Sequence, residues 1–117
     1  MVFVVHWLLS NLKNICYYSH MKEIILQHTP LLDRLAQRYV WWNPIDWAYA
    51  HPAIFLASAM DLGNWDDIQA LRHDVGDEVL KTVLLHATAG YFHARSWDYW
   101  HIKFGINPIP SLPKREL

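Results

Sequence analysis

A single cysteine, Cys16, leaves this chain unable to close an internal disulfide or to build a cysteine-based zinc site. Its neighbours in NICYYSH supply no cluster of positive charge to activate the thiolate, so Cys16 reads as inert and the protein as cytoplasmic. An excess of one charge is missing too. Ten Lys and Arg against eleven Asp and Glu give a net charge of −1, whereas proteins that hold nucleic acid through its phosphates carry a basic excess. The apolar opening MVFVVHWLL is broken by His6, is too short to span a bilayer, and has neither a basic leading segment nor a small-residue cleavage site.

Local catalytic motifs are absent as well. There is no glycine-rich phosphate loop, and neither Ser58 nor Ser111 has the flanking glycines of a nucleophile elbow. The eight histidines include no His-x3-His or His-Glu-x-x-His pair, and His86, His93 and His101 are spaced by seven and eight residues. They read as surface or capped-core side chains, with no metal or other cofactor expected. Of the acidic set Asp61, Asp66, Asp67 and Asp74, the adjacent Asp66 and Asp67 are explained by favourable charge at a helix start before any acid and base role or magnesium site. An enzyme is therefore not expected, short of a nonlocal pairing of histidine and carboxylate.

What is present in quantity is aromatic surface: seven Trp, six Tyr and four Phe in 117 residues. Such side chains serve compact cores and protein interfaces alike. A chain of this length supports one core. The expected fold is all-α, a bundle of about five short helices over residues 21–105 followed by an extended proline-rich arm over residues 106–117. Two readings stand for residues 1–20: an upstream extension absent from a native protein that starts at Met21, or a short helix that packs on the domain.

Helix punctuation carries the fold assignment. Thr29-Pro30 is an N-cap with proline at the first helical position, opening PLLDRLAQRYV. WWNPIDWAYAHP follows as an aromatic connector, a turn or a single helical turn. PAIFLASAMDL is apolar nearly all round and belongs in the middle, with Gly63 expected as a left-handed stop. Asn64 caps the next helix, with Asp67 as a short capping-box partner and Trp65, Ile68, Leu71 and Val75 on one stripe. Gly76 ends it, Asp77 is expected to cap EVLKTVLLHA, and Ser96 is expected to cap WDYWHIKF up to Gly105. The last of these helices has Trp97, Trp100 and Phe104 on one face with Tyr99 and Ile102 on the other, more apolar surface than water readily surrounds.

The stretch GNWDDIQAL, taken with ARSWDYWHIKFGI downstream, resembles a family of small bacterial proteins commonly encoded directly upstream of nucleotidyltransferase toxins of the AbiEii type. The family pattern pairs a Gly-(Asp or Asn)-Trp-(Glu or Asp)-Asp-Ile helix start with a closing Arg-(Ser or Thr)-x-x-(Phe or Tyr)-Trp helix that ends in glycine. Matching positions run from Trp42, Asp46 and Trp47 through Gly63 to Ile68, Leu71, and then Arg95, Ser96, Tyr99, Trp100 and Gly105. Pro52 departs from the pattern, since it falls inside the family's long second helix. The resemblance implies an antitoxin-like role.

The first function expected is thus a non-enzymatic, protein-binding antitoxin whose partner is a toxin encoded by the adjacent gene. Its contact residues would be Trp65, Arg95, Trp97, Tyr99, Trp100, Ile102, Lys114 and Arg115. The alternative is a helix-turn-helix regulator over residues 65–86. There the second helix would offer DNA only Lys81, Thr82 and His86, with Asp77 and Glu78 at the end that approaches phosphates.

Overall fold

A computed structural model describes residues 24–114, so both readings of residues 1–20, and the contact role of Arg115, lie outside the described residues. Within them the chain forms α1 (Pro30–Tyr39), α2 (Ile45–Ala50), α3 (Pro52–Leu62), α4 (Trp65–Val75), α5 (Asp77–Leu85) and α6 (Ala94–Lys103), with no strand among the described residues. The all-α expectation is met. α1 opens as its cap predicts, with Thr29 extended and its hydroxyl accepting the Leu32 N–H at 3.0 Å. That hydroxyl also donates to Asp74 at 3.3 Å, which ties the start of α1 to the end of α4.

α3 is the axis of the bundle because it has no polar face to turn outward. Phe55, Leu56, Ala57, Ala59 and Met60 are all buried, and the helix touches each of the other five. Leu35 from α1, Leu71 from α4, Leu80 and Val83 from α5 and Trp100 from α6 close around it with essentially no exposed surface. The Trp100 indole also donates to Met60 O at 3.0 Å. That acceptor lies in the last turn of α3, where carbonyls have no partner within the helix.

Several junctions differ from their sequence expectations. Gly63 is not a left-handed stop, since it sits at φ −65° and ψ 145°. Glycine is needed there for space, because a Cβ would lie 2.5 Å from Ala59 O. Gly76, by contrast, has a positive φ, 95°. Asp77 does not cap α5: it is the first helical residue, and its carboxylate receives Arg72 Nε and Nη2, each at 2.8 Å. Ser96 does not cap α6 either. That helix begins at Ala94, three residues before the expected start, with His93 in the cap position. The proline-rich tail is not a free arm over its described part. Ile106, Ile109 and Leu112 pack against the core, and the buried Trp97 indole donates to Pro110 O at 2.8 Å. A buried indole N–H needs an acceptor, and the returning backbone supplies it.

Candidate partner-binding cleft

The start of α4 is positioned by one carboxylate. Asn64 accepts the Asp67 N–H at 2.8 Å, as an N-cap should. The Asp67 side chain does not return to Asn64 to complete a capping box. It turns to α1, receiving the Tyr39 hydroxyl at 2.6 Å and Arg34 Nη1 at 3.1 Å, with Arg38 Nε at 3.6 Å. The Asn64 N–H goes instead to the Tyr39 oxygen at 3.3 Å. The Tyr39 hydrogen bond and the two guanidinium groups hold the Asp67 carboxyl below its ordinary value, against the opposing effect of burial. Burial first, then the hydrogen bond to Asp67, push the Tyr39 phenol up. This cluster locks α4 on α1 and presents Trp65, in the first turn, to solvent.

A second carboxylate positions the start of α6. Asp61, at the end of α3, accepts the His93 N–H at 2.9 Å and the His93 ring Nδ1–H at 2.6 Å, and it also accepts the Ser96 hydroxyl. A carboxylate only accepts, so the ring hydrogen sits on Nδ1 and Nε2 is left as an acceptor. The Asp61 side chain is nearly sealed, at 7% exposure, whereas His93 is at 82%. Placed at the positive end of α6, the carboxylate does from a distance what a local cap would do. Histidine, serine and aspartate do meet here, but the aspartate lies between the other two. The Ser96 hydroxyl is directed at Asp61 and not at the imidazole, which is not the serial order of nucleophile, base and orienting acid.

Between these two anchored helix starts lies an open cleft of about 440 Å³. Trp65 and Ile68 form its α4 side, Arg95 and Tyr99 its α6 side, and Met60 and Trp100 contribute from the core. GNWDDIQAL and ARSWDYWHIKFGI, well apart in sequence, thus converge on one concavity. Arg95, Tyr99 and Ile102 follow one another at helical spacing along α6. Arg95 is exposed and makes no hydrogen bond or ion pair among the described residues, while Ile102 is 70% exposed. Trp65, expected on the inward stripe of α4, is 63% exposed.

The predicted contact residues therefore divide. Trp65, Arg95, Tyr99 and Ile102 are at or beside the cleft. Trp97 and Trp100 are corrections as exposed contacts: they are sealed, at 5% and 0%, because both indoles serve the core and donate to backbone carbonyls, and Trp100 meets the cleft only as part of its lining. Lys114 is exposed on the docked tail. Sequence reasoning named Asp61 and His93 separately but did not pair them, because 32 positions separate the two. It also missed a second hollow of about 230 Å³ beside Trp42, Leu62 and Tyr91, which shares Asp61 and His93 with the first. The adjacent tryptophans of WWNP were the available signal, since Trp41 and Trp42 remain 75% and 51% exposed.

Among the described residues no group of three His, Cys, Asp or Glu side chains is arranged to hold a metal ion, and no helix is long and apolar enough to cross a membrane. Compared with known proteins, the chain matches no family model, no curated protein and no solved structure at significance.

Proposed function

We propose that this chain is a non-enzymatic protein-binding module of the antitoxin kind, and that its partner is a nucleotidyltransferase-type toxin encoded by the adjacent gene. One observation carries the protein-binding reading. A cleft built from both stretches that bear the family resemblance is flanked by large apolar side chains left in water, Trp65 and Ile102, and lined by Arg95, which has no ion-pair partner among the described residues. Exposed aromatic and arginine anchors around a concavity are the composition of interface hot spots. The choice of toxin rests on the resemblance. The charge distribution supports a polypeptide over a duplex: the helix pair α4 and α5 places the exposed Asp77 and Glu78 where a recognition helix would meet phosphate.

Co-expression with the product of the neighbouring reading frame tests the proposal. The two chains should co-purify and growth arrest by the neighbour should be relieved. The combined variant Trp65→Ala, Arg95→Ala, Ile102→Ser should lose both effects while keeping its thermal midpoint. Absence of both effects with the unaltered chain would overturn the toxin assignment and with it the antitoxin role.

A further inference from the structure

The cleft beside Trp65 and the hollow beside Trp42 are two halves of one surface. Asp61 and His93 line both, so the bridge from α3 to the start of α6 forms a ridge between them. Leu62, 55% exposed, lines the hollow, and Trp65 lines the cleft three residues later across the Gly63-Asn64 turn. At about 230 Å³ the hollow falls below the range of small-molecule pockets, roughly 300–1,000 Å³, and suits a single side chain.

The ridge is polar, and the free donor beside it is the Arg95 guanidinium. Asp61 spends both oxygens on His93 and Ser96, so its charge is engaged inward. The exposed His93 ring gives its Nδ1 hydrogen to Asp61, and Arg95 stands exposed two residues further on with no acidic partner among the described residues. Asp66 and Asp98 are the neighbouring carboxylates in sequence, and neither lines the cleft or the hollow. A guanidinium at the edge of an apolar concavity is matched by a carboxylate, which it can receive through two parallel N–H donors.

We propose that this surface docks a partner segment carrying two large apolar side chains with an aspartate or glutamate between them. One apolar side chain enters the cleft between Trp65 and Tyr99. The other enters the hollow beside Trp42 and Leu62, and the carboxylate reaches across the ridge to Arg95. The proposal deepens the protein-binding reading and rests on it, but it does not depend on the partner being a toxin. A basic segment is disfavoured by Arg95, and a purely apolar one would leave that guanidinium without a partner.

The test is selection of a displayed random dodecapeptide library on the full-length chain, with the Arg95→Glu variant as the counter-selecting target. Enriched peptides should share the pattern of two large apolar residues flanking an acid. A synthetic peptide of the leading sequence should weaken about 30-fold on Trp65→Ala, on Trp42→Ala, on Arg95→Glu, and on conversion of its own carboxylate to the amide. All three protein positions are exposed, so unchanged circular dichroism will establish that each variant is folded. Enrichment of peptides without an acid, binding indifferent to Arg95→Glu, or no enrichment at all would each overturn the proposal. So would quenching of tryptophan fluorescence by adenosine monophosphate that Arg95→Glu abolishes, which would assign the cleft to a nucleotide. Failure to co-purify with the neighbouring gene product bears only on the toxin assignment, because that product is not in the library.

Discussion

At Asp67 a nearly sealed carboxylate is shared by a tyrosine and an arginine hydrogen bond from another helix. Its lowered pKa fixes the sign of its contribution to stability. A carboxyl held below its ordinary value of 3.8 stabilises the fold fully above that value, and the contribution is lost as pH falls from there through the lowered folded-state value. Urea unfolding at pH 6 and at successively lower pH should therefore show a steep acid limb that Asp67→Asn flattens. At neutral pH the same substitution should cost about 2–3 kcal/mol, the range for a buried hydrogen bond to a charged group. Asp77, lowered by its Arg72 hydrogen bonds, adds a smaller term of the same sign because it is 46% exposed. Tyr49 moves the other way. Burial, then its hydrogen bond to Asp33 at 2.8 Å, push the phenol up to about 12. A raised pKa stabilises below the unfolded value, near 10, and that contribution is lost as pH rises toward 12. Spectrophotometric titration should show one tyrosine ionising near 12, and Asp33→Asn should bring it down.

Among the elements, Gly63 and Gly76 separate two reasons for the same residue. Alanine at Gly63 would drive its Cβ against Ala59 O at 2.5 Å and Ile68 Cγ1 at 3.1 Å, so α3 or α4 must shift, at about 1–3 kcal/mol. Alanine at Gly76 meets open space and costs only its positive-φ extended backbone, about 1–3 kcal/mol. Chemical denaturation of both variants, with amide exchange at the start of α4, checks the difference: only Gly63→Ala should raise exchange there. Helix existence was legible because Thr29, Pro30, Pro52 and Asn64 act on their immediate neighbours. The expected roles of Asp77 and Ser96 did not transfer, since their side chains take other partners: Arg72 for Asp77, and Asp61, 35 positions away, for Ser96. The tail misled for a similar reason. Its prolines favour extension, but Trp97 and the core provide an acceptor-seeking indole and an apolar surface for it to lie on.

Across the whole molecule the aromatic excess was legible, and its allocation between core and surface was not. An indole on α6 and one on α4 look alike in sequence, and only the packing of α3 decides that Trp100 is at 0% exposure and Trp65 at 63%. Opposite phenotypes follow. Trp100→Ala empties a site against α3 and orphans Met60 O, a cost of about 3–5 kcal/mol against a total of about 5–15 kcal/mol for a domain. Trp100→Phe keeps most of the bulk and loses the indole hydrogen bond, so it should remain folded with its thermal midpoint lowered by about 4–8 °C for each kcal/mol lost. Trp65→Ala removes an exposed side chain that no core residue needs, and its stability should stay within about 0.5 kcal/mol of the parent. Unfolding curves for the three variants, beside their retention of the co-purified partner, make the decisive comparison. Trp65→Ala should keep the fold and lose the partner, whereas Trp100→Phe should weaken the fold and keep the partner at temperatures below its own transition. A Trp65→Ala protein that retained its partner in full would mean that this face is not the docking surface.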